Sequence, residues 1–175
     1  DLTRAGKVAG RHGIQTVDPA AALDEPCDVL SPNALGGLLH DLSLGRLRCQ
    51  IIAGGANNQL ARALVGDELF DADILYVPDF VINAGALVRG TIFHLEDRRE
   101  PVEAIGLRTG AAAERILAAA EEENDAPARG AVRMAERRLA AWRGLGWGAL
   151  HPTSCRASRP PARPPQQRRA GSARS

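Results

Sequence analysis

The chain has 175 residues, enough for one domain with a sizeable core, and a net charge of only +1. No stretch reaches about 18 uninterrupted apolar residues, so no membrane-spanning helix is expected, and the start lacks the basic, apolar, small-residue pattern of a secretory leader. The three cysteines, Cys27, Cys49 and Cys155, form no Cys-x-x-Cys pair and no zinc-like spacing. Cys27 and Cys49 sit in apolar strand-like runs and read as small buried hydrophobes, which fits a reducing cytoplasm. The charge is divided unevenly. Six arginines and no acidic residue fall in 151–175, so that segment carries +6 and the other 150 residues −5. Such a split marks a boundary in the chain rather than a partner. The first residue is Asp, not Met, so the chain is expected to be processed or to be a piece of something longer.

In chain order, residues 1–11 read as a helix that stops at Gly13, and 14–17 as a short strand. Asp18-Pro19 turns the chain, and 27–30 (Cys-Asp-Val-Leu) is the next strand. Leu35, Leu38, Leu39 and Leu42 recur at helical spacing and predict a helix, which Gly36 and Gly37 interrupt. A strand at 49–53, a short helix near 67–72 and a strand at 74–77 follow. Three helices close the folded part. The first presents Ala84, Leu87, Val88, Thr91, Ile92 and Leu95 on one face; His94 on it reads as a partly exposed helix residue rather than a catalyst. The second presents Ala113, Ile116, Leu117 and Ala120; the third, after Pro127, presents Ala131, Met134, Ala135, Leu139 and Trp142. Strands alternating with helices predict a mostly parallel α/β sheet with a helical C-terminal extension.

From about Gly144 the composition turns to Gly, Pro, Arg and Ser, with almost no large apolar side chain. Such a segment buries too little surface to offset its ordering entropy, so 144–175 is expected to be a disordered basic tail beyond a domain at 1–143. Arginines can hold phosphates, but the Arg-rich part of the tail, 151–175, has no Phe, Trp or Tyr to stack on bases, which argues against nucleic-acid binding.

Residues 49–85 organise the rest. Twice a short β-type run stops at small residues and asparagines: at Gly54-Gly55-Ala56-Asn57-Asn58-Gln59, and at Pro78-Asp79-Phe80-Val81-Ile82-Asn83-Ala84-Gly85. Ligands of open α/β sheets sit at the carboxyl ends of strands. Glycine and alanine there admit a ligand close to the backbone, and asparagine offers both a donor and an acceptor.

Three motifs in this order, Ser31-Pro32-Asn33-Ala34-Leu35-Gly36-Gly37, Ile51-Ile52-Ala53-Gly54-Gly55-Ala56-Asn57-Asn58-Gln59-Leu60 and Tyr76-Val77-Pro78-Asp79-Phe80-Val81-Ile82-Asn83-Ala84-Gly85, resemble those of the leucine/phenylalanine/valine/glutamate family of amino-acid dehydrogenases. Val132-Arg133-Met134-Ala135-Glu136-Arg137-Arg138 resembles their late helix, so the match covers about residues 1–143. Gly55-Ala56-Asn57-Asn58-Gln59-Leu60 is more similar to the leucine/phenylalanine/valine branch than to the glutamate branch.

The resemblance implies an NAD-dependent oxidoreductase, of leucine or branched-chain type, that oxidatively deaminates an L-amino acid to a 2-oxo acid, ammonia and NADH. It also implies a cytoplasmic, homo-oligomeric parent. In that family a substrate domain carries the catalytic lysine and aspartate, and a Rossmann-type domain holds the cofactor. This chain resembles the second of these, entered late: a partial Rossmann-type parallel sheet lacking its first strand and the Gly-x-Gly-x-x-Gly turn. Gly144-Leu145-Gly146-Trp147-Gly148 follows a helix and does not substitute for that turn. By resemblance Asp1 would meet the ribose hydroxyls, although it can equally be an arbitrary residue starting a helix. Asn33, Ala34, Ala56, Asn57 and Asn58 resemble the lining of the nicotinamide riboside, and Asn83 the asparagine beside nicotinamide and substrate. Asn33 and Asn83 could instead be helix N-caps. Catalytic residues and a metal site are not expected in this segment, and by itself it is expected to be inactive. Two alternatives remain: a non-catalytic nucleotide-binding or assembly module, and a nucleic-acid binder using the Arg-rich tail.

Overall fold

Three short apolar runs become strands because each is bounded by residues that break the extended ladder. In the computed structural model, which describes residues 2–144, these are β1 (Cys27–Leu30), β2 (Cys49–Ile52) and β3 (Leu75–Tyr76). They form one parallel sheet in the order β1-β2-β3, with Cys27 opposite Cys49, Leu30 opposite Ile52, and Ile52 opposite Tyr76. Parallel neighbours need a crossover, and each crossover here contains a helix: α2 (Asp41–Leu44), then α3 (Val65–Asp71). The α/β class and the parallel sheet are as the alternation of patterns predicts.

The helices are α1 (Leu2–His12), α2 and α3, then α4 (Asp79–Ile82), α5 (Gly85–Glu96), α6 (Val102–Glu123) and α7 (Pro127–Gly144). By compactness the chain divides at Arg137/Arg138, and of the second unit only the end of α7 is among the described residues. Asp1 and the basic tail from 145 onward lie outside them.

Two apolar clusters hold the first unit. Leu39, Leu47, Cys49, Ile52, Val65, Leu69 and Tyr76 pack between the sheet and its crossovers. Val81, Ile116 and Ala131 join α4, α6 and α7, with Ala112, Ala113 and Met134 against them. Burial pushes the Cys49 thiol above its usual range, as expected of a small buried hydrophobe.

Four sequence expectations are corrected. Residues 14–17 form no strand; Ile14 and Val17 are about half exposed, since no strand among the described residues pairs with the segment. The helix over Leu35–Leu42 does not form either: Leu35 and Leu42 face solvent and only Leu39 is fully buried. Residues 35–40 lie instead beside the β2 exit, where Leu39 and Leu60 make a parallel bridge, and Leu42 falls in the short α2. Cys27 is exposed, because it lies on an edge strand whose first three residues are uncovered. Finally, α5 forms where predicted and packs against α6, but none of its residues is fully buried and Leu87 and Leu95 stay exposed.

Candidate functional site

The sheet delivers three loops to its carboxyl edge, and close backbone packing locks them together. Pro32, after β1, lies against Gly54, after β2: a Cβ on Gly54 would stand 2.1 Å from the Pro32 carbonyl oxygen. The same carbonyl accepts the Ala56 N–H at 2.9 Å. Gly36 is as tightly placed, since a Cβ there would meet the Asn57 oxygen at 2.5 Å and the Asn58 oxygen at 2.8 Å. Gly37, at φ +72°, donates its N–H to Asn58 at 2.7 Å. These two glycines are therefore where the chain must come close and turn left-handed, not flaws in a helix.

Asn33 bridges the first two loops. Its Nδ2 donates to the Ser31 carbonyl and hydroxyl, both at 2.9 Å, and its Oδ1 accepts the Gly55 N–H at 2.8 Å. Gln59, fully buried, donates Nε2 to the carbonyls of Gly54 at 2.6 Å and Ala56 at 3.0 Å. Its Oε1 is the orphaned buried side-chain acceptor among the described residues.

The third loop follows β3. Tyr76 is buried, and its hydroxyl donates to Asp79 Oδ1 at 2.8 Å; Asp79 Oδ2 accepts the Asn58 N–H at 2.6 Å. Desolvation pushes the Tyr76 phenol well above its usual range, so it stays a hydrogen-bond donor at ordinary pH. Asp79 opens α4, and Asn83 closes it, donating its backbone N–H to the Asp79 carbonyl at 2.9 Å. The Asn83 side chain then donates to Asn57 Oδ1 at 2.6 Å and to the Ala56 carbonyl at 3.4 Å.

Of the residues singled out from sequence, Asn57 and Asn83 are brought into direct contact, and Ala56 and Asn58 flank them. Asn33 and the exposed Ala34 stand on the neighbouring loop; Asp1 is outside the described residues. Neither asparagine is an N-cap. No helix follows Asn33 until Asp41, and Asn83 is the C-cap of α4, with Ala84 at the N-cap of α5. Sequence reasoning passed over Tyr76, Asp79 and Gln59. The available signal was an acid and a tyrosine three residues apart at the end of an apolar run, where a buried carboxylate needs a local donor.

Beside Asn58 and Asp79 opens a cleft of about 570 Å³, walled by Leu64, Phe80 and Val132 with Arg129 at its rim. Arg129 is drawn into an ion pair with Asp67 at 2.7 Å, which leaves the wall mainly apolar. No group of three or more His, Cys, Asp or Glu side chains among the described residues could hold a metal ion. The loops thus offer amides, carbonyls and small residues. They suit hydrogen bonding to a polar ligand; they contain no lysine, and the histidine among them, His40, stands at the start of α2.

By sequence and fold the chain is a relative of the amino-acid dehydrogenases, oxidoreductases acting on amino acids. It is 33% identical to leucine dehydrogenase of Geobacillus stearothermophilus over 135 residues, which are 75% of this chain and 36% of that one. It is 40% identical to valine dehydrogenase of Streptomyces virginiae over 121 residues, 66% of this chain and 32% of that one. The crystal structure of L-tryptophan dehydrogenase from Nostoc punctiforme superposes with a TM-score of 0.74 at 32% identity, covering 81% of this chain and 43% of that one. The hetero-hexameric glutamate dehydrogenase of Thermus thermophilus shares the fold, with a TM-score of 0.61 at 21% identity. No family model matches the chain. The chain spans between about a fifth and about a third of the length of the curated relatives it matches. No helix among the described residues is long and apolar enough to cross a membrane.

Proposed function

We propose that this chain is the cofactor-domain portion of an NAD-dependent amino-acid dehydrogenase of the leucine or branched-chain type, in which the loops after β1, β2 and β3 line the nicotinamide riboside. The observation that carries the reading is the 2.6 Å contact between Asn83 and Asn57, which joins two separate motifs at the carboxyl edge of the sheet. The residues fit that end of NAD. The exposed amides of Asn33, Asn57 and Asn58 suit sugar hydroxyls and a carboxamide, and the small Ala34 leaves room for a flat ring. When bound, NAD accepts the hydride; the chain's own residues orient it and, through Asn83, the substrate beside it.

In this reading β1, β2 and β3 are the fourth, fifth and sixth strands of a 3-2-1-4-5-6 sheet, and the uncovered edge of β1 is where the first strand pairs. Residues 1–143 then make up a partial dinucleotide-binding domain. The pyrophosphate turn and the proton-transferring lysine and aspartate come from other parts of the whole protein, which works as a homo-oligomer on an L-amino acid and its 2-oxo acid.

The test is Asn83→Ala in the complete polypeptide that carries this segment, assayed for leucine-dependent NADH production. Turnover should fall by about tenfold or more with an unchanged thermal transition. Equal kinetics for the two proteins would remove Asn83 from the site. Cofactor binding without turnover in the unaltered polypeptide would favour the non-catalytic nucleotide-binding module.

A further inference from the structure

We propose that Asp79, together with Tyr76, is the positioning pair that sets the Asn57–Asn83 contact and so shapes the nicotinamide end of the cofactor site. The inference rests on the cofactor reading above and adds to it two residues with no expected ligand contact.

Asp79 is a buried carboxylate, 7% exposed, and no cationic side chain among the described residues pairs with it. Such a group is costly to keep unless its oxygens are hydrogen-bonded. Both are, and to different elements. Oδ2 takes the backbone N–H of Asn58 in the β2 exit at 2.6 Å, and Oδ1 takes the hydroxyl of Tyr76 at the end of β3 at 2.8 Å. One carboxylate therefore fixes the distance between two loops. One loop carries Asn57, immediately before Asn58. The other carries Asn83, whose backbone N–H bonds back to the Asp79 carbonyl at 2.9 Å.

The tie is needed because Asn58 is held at φ +52°, a left-handed conformation that a loop free of restraint leaves readily. Tyr76 completes the device. Its ring is anchored in the apolar core, and its O–H keeps its proton, so the donor facing Asp79 does not vary. Asp79 and Asn58 also line the 570 Å³ cleft, which places the tie at the margin of the site rather than in the middle of the core.

The experiment uses Tyr76→Phe and Asp79→Asn in the complete polypeptide, with Asn83→Ala as the reference variant. NADH affinity is measured by calorimetry, and the Asn83 side-chain amide resonance, identified by its loss in Asn83→Ala, is followed by NMR. Both positioning variants should raise the NADH Kd about tenfold, the scale of one hydrogen bond to a charged group. Both should also shift the Asn83 amide while the thermal transition is retained. Should Asp79→Asn fail to fold, Tyr76→Phe decides, because it keeps the ring and loses only the hydroxyl. An unchanged Kd and an unmoved Asn83 resonance, with NADH binding weakened in Asn83→Ala, would overturn the positioning role alone. No NADH binding by the unaltered polypeptide would overturn the cofactor reading and this inference with it.

Discussion

A single methyl group at residue 36 would be felt across the whole site. Gly36→Ala puts a carbon 2.5 Å from the Asn57 oxygen and 2.8 Å from the Asn58 oxygen, and both obstacles are backbone, so the loop must move as a piece. The expected cost is roughly 1–3 kcal/mol, read as a lowered denaturation midpoint, with a weaker NADH complex in the complete polypeptide. Gly90→Ala is the control, because open space surrounds that glycine and it lies mid-helix in α5. At this scale the residue types at the loops were legible in the sequence: glycine, alanine and asparagine after an apolar run mark a strand end that admits a ligand. What each residue touches was not. Asn33 and Asn83 looked equally suited to capping helices, and only the fold turns one toward Gly55 and the other toward Asn57. Asp79 and Tyr76 were in plain view, but burial decides their role, and burial is a property of what packs around them.

Helix α6 gives way to α7 at Asn124 and Asp125. Asn124 caps α6 in the left-handed region, and Asp125 Oδ1 accepts the Ala126 N–H at 2.9 Å. Burial alone would raise the Asp125 carboxyl, but the hydrogen bond from Arg133, the Ala126 N–H and the nearby Arg129 outweigh it and hold the group below its ordinary range. A carboxyl whose folded value is depressed stabilises the fold above its unfolded value, near pH 4, and loses that contribution as the pH falls through the folded value. Acid should therefore weaken this junction. Asp125→Asn should cost on the order of 1 kcal/mol at neutral pH and almost nothing at pH 2, measured by urea denaturation at both. Element types were largely readable from periodicity, as α5, α6, α7 and the three strands attest. The exceptions have one cause. Leucines at helical spacing between residues 35 and 42 meet two glycines that are needed for close approach, and tertiary contact with the β2 exit overrides local pattern. The four residues at 14–17 have strand composition and no strand among the described residues to pair with.

At the scale of the molecule, the sheet ends at β1 with Val29 half exposed, and α5 carries Leu87 and Leu95 into solvent. Uncovered edges and apolar faces of this kind favour association with another chain. With the proton-transferring lysine and aspartate expected from another part of the whole protein, the purified 175-residue chain is expected to show no leucine-dependent NADH production; a leucine-dependent rate from a preparation free of contaminating enzyme would refute this. The three loops themselves form one mechanical body. The amides of Gly37, Leu39 and Ala61 all point across the seam between the first loop and the second, and that of Ala56 points back to Pro32. None of these bonds can open without the others losing their frame. In deuterated buffer the four amides should therefore exchange at one shared rate, slower than the amides of α1, and should speed up together in Gly36→Ala. A ligand arriving at this edge would meet a surface that yields as a whole or not at all.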